Sequence, residues 1–176
     1  MTFLVLLSSW IDDDSGEPKR TIASTTVARC SIVQAGPGPA DWRATSIPAG
    51  PVGIRKRPLT TMEKQPDGTF ATKMPVLIDG HDKVTVAAVP AMRGRVRLFY
   101  GGEATSFDDD TGFERIRFHP CRERNRTVWP GGIEVRGRGA VRLKITVAGQ
   151  KPFVIGLGRP AETGSPDPPG DSGDGE

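Results

Sequence analysis

The sequence predicts an all-β fold: a single antiparallel β-sandwich or barrel of about eight or nine strands, followed by a disordered acidic C-terminal tail. The first supporting observation is alternation within residues 114–157, where apolar residues recur at every second position. The clearest run places apolar Val141, Leu143, Ile145 and Val147 between polar Arg142, Lys144 and Thr146. Because side chains two positions apart share a strand face, this pattern buries one face and exposes the other.

The second observation is composition. Gly (22) and Pro (16) make up about a fifth of the 176 residues, and both residue types interrupt helices. No window of about eleven or more residues has the apolar spacing of an amphipathic helix. Many short strands joined by turns are therefore expected, and few helices.

The predicted strands follow one another between residues 19 and 158. β-Branched residues favour a strand within 19–34, and prolines leave one short strand near 52–55. A Pro-Asp-Gly turn precedes strand 69–78, because Pro fixes φ and Gly accepts a positive φ. Alternation then predicts strands at 83–89, 95–100, 115–118, 133–135, 141–147 and 153–157. The expected core consists of their inward residues: Val84, Val86, Val96, Leu98, Ile116, Phe118, Ile133, Val135, Val141, Leu143, Ile145, Val147, Phe153 and Ile155.

Charge and hydropathy divide the chain into three parts. Residues 1–18 form an apolar stub and acidic linker, 19–158 the sandwich domain, and 159–176 the tail. Residues 113–158 carry ten Arg or Lys against three Glu, whereas the tail carries one Arg against five acids. The tail has no large apolar residue, so burial cannot offset the entropic cost of ordering it, and we expect it to be disordered.

The N-terminus allows two interpretations. Residues 3–7 are an apolar run, which is followed by small polar residues and then by Asp12, Asp13 and Asp14. One interpretation is a short buried strand. The other is the end of a truncated signal or membrane anchor, because an acidic linker containing Gly and Pro is typical of a tether. No segment approaches the length of about 18–20 apolar residues that a membrane span needs.

Motifs that would carry catalysis or hold a cofactor or metal are not found, so we expect no enzyme activity and no cofactor. His119 and Cys121 lie close together, but a zinc site needs about four ligands at characteristic spacing. Residues 108–110 are consecutive aspartates without the spacing of a calcium loop. The glycine-rich segments match neither a phosphate-binding loop nor a nucleophile motif.

A basic face is the main candidate for a binding site. Its members would be Arg115, Arg117, Arg136, Arg138 and Arg142. Nucleic-acid binding would require aromatic side chains among them to stack on bases, and only Trp129 and Phe118 are near. A solvated strand face is therefore the favoured interpretation, and binding of a polyanion is the alternative.

The two cysteines, Cys30 and Cys121, offer only one pairing. In an oxidising compartment two cysteines usually pair, and in a cytosol they usually stay reduced. A disulfide requires the two Cα atoms to lie within about 7 Å. Both outcomes stay open at this point, because a free Cys is also common as a small buried apolar residue.

Residues 68–158 resemble an uncharacterised group of exported or membrane-tethered β domains from high-GC Gram-positive (actinobacterial) bacteria. The resemblance rests on the order of the weak motifs Lys73-Met-Pro-Val-Leu-Ile78, Val96-Arg-Leu-Phe-Tyr-Gly101, Ile116-Arg-Phe-His-Pro-Cys121, Thr127-Val-Trp-Pro-Gly-Gly-Ile133 and Val141-Arg-Leu-Lys-Ile-Thr-Val-Ala-Gly149. It implies an N-terminal membrane segment and no activity that could be transferred. Relatives are expected to carry a second cysteine near the position of Ala140. This chain lacks that cysteine, which puts a short-range bridge to Cys121 in doubt.

Together these observations predict a non-enzymatic interaction module of the cell envelope. We expect it to be extracytoplasmic, membrane-tethered or secreted, with an unknown protein or envelope component as its partner. A membrane tether would run through the N-terminus, and nucleic acid is not the expected partner. The alternative is a cytoplasmic domain that binds a polyanion or nucleic acid through the arginines of 115–142.

Overall fold

The computed structural model of the protein describes residues 21–23, 25–30, 41–56, 59, 62–100 and 111–160. The predicted N-terminal stub and almost all of the predicted tail lie outside these residues. Every described strand falls within the predicted domain, 19–158. One four-residue helix is present in the described part, so the protein is all-β as the sequence predicts.

The described part contains fifteen strands. In chain order they are β1 (Thr21–Ala23), β2 (Thr26–Arg29), β3 (Ser46–Ala49), β4 (Val52–Arg55), β5 (Glu63–Lys64), β6 (Thr69–Lys73), β7 (Val76–Asp79), β8 (Val84–Ala88), β9 (Val96–Tyr100), β10 (Thr111–Phe113), β11 (Arg115–His119), β12 (Arg126–Trp129), β13 (Gly131–Arg136), β14 (Val141–Val147) and β15 (Phe153–Gly158). Helix α1 (Trp42–Thr45) precedes β3, and a 3₁₀ turn (Pro90–Met92) precedes β9.

Three sheets pack together in a sandwich-like arrangement. One has six strands in the order β1-β10-β9-β13-β6-β5, the second has five in the order β15-β14-β8-β11-β2, and the third has four in the order β12-β7-β4-β3. The described pairings are antiparallel except for two. Strand β1 pairs in parallel with β10, and β2 pairs in parallel with β11.

The strand count exceeds the predicted eight or nine because prolines divide long runs. The predicted strand 69–78 becomes β6 and β7, separated by Met74 and Pro75. The run that pairs with it, residues 126–136, is divided by Pro130 into β12 and β13. The Met74 amide still donates to the Gly131 carbonyl at 2.9 Å. Pairing therefore continues across the break while the two strands pass from one sheet to another.

The predicted core is buried, except that Phe153 is partly buried and packs against it. The predicted core includes Phe118 but leaves out Tyr100 and Trp129, the two aromatic residues that pack against it. Phe118 makes edge-to-face contacts with Tyr100 and Trp129, with ring centroids 5.4 and 5.5 Å apart. The Tyr100 hydroxyl donates to the Met74 carbonyl, and burial raises the pKa of Tyr100 far above its usual range.

The six-stranded sheet is buried on both faces at β9. Alternation places Arg97 and Phe99 opposite the core-facing residues, yet both are buried. Arg97 lies directly across from Glu134 of β13 and donates from Nε to its carboxylate at 2.9 Å. A buried charge is tolerated where it is paired and hydrogen-bonded; Arg97 meets this condition through Nε and Nη2, whereas its Nη1 has no hydrogen-bond partner among the described residues.

Helix α1 packs Trp42 against the outer surface of the four-stranded sheet. The indole is buried over Gly53, where an added Cβ would lie 2.2 Å from a ring carbon of Trp42. The guanidinium of Arg43 lies 4.5 Å from the ring centroid, and that of Arg126 lies 5.6 Å from it. Both arginines also pair with Asp79, at 3.1 and 2.7 Å respectively.

Gly53→Ala should therefore lower the free energy of unfolding by about 2 kcal/mol, because the methyl group must displace the Trp42 ring. Gly156→Ala is the matched control, since its Cβ would meet nothing within 4 Å and its φ is not positive. We expect the control to stay within about 0.5 kcal/mol of the parent in urea denaturation. Equal stability of the two variants would contradict the proposed packing.

Candidate anion-binding face

The five-stranded sheet is organised around its central strand, β8. Val86 lies between Ile116 of β11 and Ile145 of β14, and all three are fully buried. Since neighbouring positions point to opposite faces, this register also aligns the outward positions of the three strands. The core and the outer face of this sheet are thus set by one alignment.

All charged side chains of these five strands are basic. They are Arg29, Arg115, Arg117, His119, Arg142 and Lys144, which together are called the basic sheet face below. Five of them are exposed and His119 is half-buried. The strands contain no Asp or Glu, and among the described residues no carboxylate pairs with the arginines or the lysine of this face.

Small residues of β8 separate two rows of cations. Ala87 lies between Arg115 of β11 and Lys144 of β14, and Thr85 lies beside Arg117. Strands lie about 4.8 Å apart, so the two flanking strands are separated by roughly 10 Å. We call the strip over the outer face of β8 the trough. Its floor is formed by the short side chains of Thr85 and Ala87, and the cations of the two flanking strands form its walls.

A polar pocket of about 300 Å³ lies at one end of the trough. Arg93 and Arg115 contribute its cations, and Thr25, Ala87 and Ala88 line the rest together with Glu114. The Glu114 carboxylate accepts a 2.7 Å hydrogen bond from the Gly94 amide, which follows the 3₁₀ turn. This bond occupies part of the acceptor capacity of the one acidic side chain in the pocket.

A cluster of positive charge lies at the other end. Partial burial lowers the pKa of His119, and the nearby charges of Lys83, Arg29 and Arg117 lower it further. Like charges disfavour the protonated imidazole, and partial loss of water has the same effect. The three neighbouring cations, and not the burial, indicate that this end of the sheet has a positive potential in which an anion would be stabilised.

The structure brings together three of the five predicted basic residues. Arg115, Arg117 and Arg142 lie on the basic sheet face, while Arg136 and Arg138 do not. Strand β13 belongs to the six-stranded sheet, and the guanidinium of Arg138 lies 5.7 Å from the ring of Phe70. The Arg136 carbonyl accepts from Nε of Arg95 at 3.3 Å. Sequence spacing alone does not state which sheet a strand joins.

This surface also has cationic members outside the predicted basic face. Alternation places Lys144 on the same strand face as Arg142, although the predicted basic face does not include it. Alternation does not place Arg29 there, because its position beside His119 depends on a parallel pairing between strands about 90 residues apart. Lys83 belongs to the predicted strand 83–89 but lies one residue before β8 in the structure, and Arg93 lies in a loop, where alternation gives no information.

The two cysteines are joined by a disulfide. Cys30 follows β2 and Cys121 follows β11 by two residues, and their Cα atoms lie 5.0 Å apart, inside the limit of about 7 Å. The parallel register that pairs Arg29 with His119 brings the ends of the two strands together. The partner of Cys121 is thus a distant residue, not one near Ala140.

Other candidate sites are weaker. The described part of the chain contains no group of three or more His, Cys, Asp or Glu side chains placed to hold a metal ion. The aspartates of 108–110 lie outside the described residues. An apolar cleft of about 220 Å³ lies beside Trp42, with Pro75, Leu77 and Val128 in its wall and Arg55 also lining it. Thr45 and Ser46 also line this cleft, whose surface is mainly apolar.

Comparisons of the chain with known protein families, with curated proteins and with solved structures found no match. The resemblance to exported β domains stays a prediction. As for membrane insertion, no helix among the described residues combines the length and the apolar character needed to cross a bilayer.

Reduction of the disulfide should lower the free energy of unfolding. The bridge closes a loop between residues 91 apart, for which the loop-entropy model gives about 4–5 kcal/mol. Denaturant curves of the oxidised protein, with and without reductant, would measure the loss. The double variant Cys30→Ser and Cys121→Ser is the control, and its curve should not respond to reductant. A loss below about 1 kcal/mol in the parent would contradict this prediction.

The imidazole of His119 should titrate with a pKa below the usual value of about 6.5. Because the pKa is lower in the folded than in the unfolded protein, this group favours unfolding as pH falls below about 6.5. An NMR titration of the ring protons would give the pKa directly. Arg117→Gln removes a nearby cation and should raise it, whereas Arg136→Gln should leave it unchanged. A parent pKa above 6.5 would contradict the electrostatic description.

Proposed function

We propose that this protein is a non-enzymatic, extracytoplasmic interaction module that binds an anionic component of the cell envelope through the basic sheet face. The observation that carries the proposal is the absence of acidic residues from all five strands of one sheet, while their outward positions hold five Arg or Lys. Such a surface attracts anions over a distance and releases counterions when it binds a polyanion.

The disulfide supports the extracytoplasmic part of the proposal. Disulfides persist in oxidising compartments and are rare in the cytosol, where thiols are kept reduced. The Cα atoms of Cys30 and Cys121 lie at a separation that a disulfide requires. Each cysteine follows the end of one of two paired strands, β2 and β11. The resemblance of residues 68–158 to exported domains favours the same compartment. A membrane tether would run through the N-terminus.

A cytoplasmic module for nucleic acid is the second candidate, because the same arginines would contact phosphates. Single-stranded nucleic acid is usually held by stacking on exposed aromatic side chains as well as by charge. Phe118 points inward from β11 and is fully buried. The other aromatic residue of the five strands, Phe153, packs against the core. An anionic partner without bases is therefore favoured.

Binding to a polyanion tests this proposal. The oxidised protein would be titrated against fluorescently labelled heparin at several salt concentrations, followed by fluorescence anisotropy. We expect affinity to fall steeply with salt, because counterions are released on binding. Arg115→Gln with Arg117→Gln should lower the affinity about tenfold or more at low salt and should reduce the salt slope by roughly one to two.

The matched control is Arg136→Gln with Arg138→Gln, which removes the same charge from the end of another sheet. Its affinity should stay within about threefold of the parent, and its salt slope should stay close to the parent's. Failure of the parent to bind any polyanion at low salt would refute the proposed partner class. Equal losses in the two double variants would mean that net charge, and not this face, decides binding.

A further inference from the structure

We propose that the ligand of the basic sheet face is a linear phosphate-bearing polymer whose chain lies along β8 in the trough. This inference rests on the proposed function and specifies its partner. It predicts that the ligand is extended and that it lies parallel to β8.

The cations stand in two rows parallel to β8. Arg115 and Arg117 are two positions apart on one side, and Arg142 and Lys144 are two positions apart on the other. Successive outward residues of a strand lie about 7 Å apart, and the rows are separated by roughly 10 Å. Each row therefore presents repeated charge along a line, which suits a chain with repeated anionic groups.

The floor of the trough leaves room for such a chain. Thr85 and Ala87 are the outward residues of β8, and both are far shorter than the Arg and Lys on either side. Within the five strands, the large apolar side chains that are exposed lie outside the trough. Val27 is on β2 and Val154 is on β15, at the two edges of the sheet. The strip between the walls is thus narrow, with one hydroxyl-bearing residue and one small apolar residue on its floor.

Positive charge continues past both ends of β8. Lys83 immediately precedes the strand and contributes to the charge around His119. Arg93 lies in the pocket that closes the other end, beside Arg115. Five residues of strand span about 17 Å, so the cations follow a line longer than β8 itself. A single small anion would use only one end of this line, whereas an extended polymer would contact all of it.

Arginine suits phosphate as the anionic group, as it also suits carboxylate. Its planar guanidinium donates two parallel hydrogen bonds to phosphate oxygens, and four of the six side chains of the basic sheet face are arginines. The pocket adds Arg93 and a residue with a hydroxyl group, Thr25, as further donors for one such group. No aromatic side chain occupies an outward position of the trough, so the polymer would be recognised by its backbone and not by bases.

The test uses the intact oxidised protein and labelled inorganic polyphosphate as the probe. Thr85→Glu places a carboxylate on the floor of the trough, at a half-buried outward position. Val154→Glu adds the same charge to the same face of the sheet, directly across from Lys144 and outside the trough. Thr85→Glu should lower the affinity about tenfold or more at low salt, and Val154→Glu by a smaller factor, because it lies beside one wall of the trough and not on its floor. Equal losses in the two variants would overturn the inference.

Chain length and a pocket variant provide independent readouts. Affinity should rise with polyphosphate length until the chain spans the trough and should then level off, whereas pyrophosphate should bind weakly. Arg93→Gln, at an exposed position, should lower the affinity for long chains more than for pyrophosphate, and it keeps the test valid if Thr85→Glu fails to fold. Equal affinity for pyrophosphate and long chains would overturn the inference.

Two further probes separate this inference from the proposed function. Vesicles of phosphatidylcholine containing phosphatidylglycerol, bound tightly while polyphosphate is not, would support an anionic envelope partner and overturn the linear ligand. A single-stranded oligonucleotide that binds more tightly than polyphosphate of equal charge would overturn both and favour the nucleic-acid module. If neither heparin, polyphosphate nor vesicles bind, the proposed function itself fails.

Discussion

The register of β8 between β11 and β14 is the constraint on which the rest of this protein depends. It places Val84 and Val86 in line with buried residues of both neighbours, so the apolar side chains of three strands meet in one layer. A shift by one residue would turn each of these side chains to the opposite face and would send arginines into the core. Burial of the inner face thereby determines which side chains meet outside.

The outer face carries a cost that the fold can tolerate. Arginines and lysines on neighbouring strands repel one another, and no acidic residue of the same strands offsets this repulsion. The side chains are exposed, however, so water and salt screen the interaction. The buried apolar layer beneath them supplies stability that does not depend on their charge. The sheet can therefore concentrate positive charge without being held together by it.

The sequence predicted what alternation controls and missed what depends on distant pairings. The fold class and the inward residues of 84–155 followed from period-two burial, because that pattern is local. The assignment of Arg136 and Arg138 to the basic face was not met, since β13 joins another sheet after Pro130. The packing of Trp42 over Gly53 was missed because it joins a helical turn to a strand without any shared periodicity.

The cysteines illustrate the same limit. The sequence contains only two cysteines and therefore only one possible pair, but it does not show how close the two residues lie in the fold. Their Cα atoms lie 5.0 Å apart because β2 aligns in parallel with β11, and no local sequence pattern predicts this alignment. The difference at Ala140 suggested that Cys121 had lost its partner, whereas the fold supplies one from the other end of the domain.

The parallel alignments of β1 with β10 and of β2 with β11 have a consequence for the order in which the chain assembles. Because the chain is synthesised from its N-terminus, β2 is complete about ninety residues before its partner strand, β11. The first strands must therefore wait with open hydrogen-bonding edges until most of the domain has been made. The Cys30–Cys121 bond can form only after this parallel pairing has brought the two cysteines together, and β13 and β14 are still to be added to the sheets at that stage.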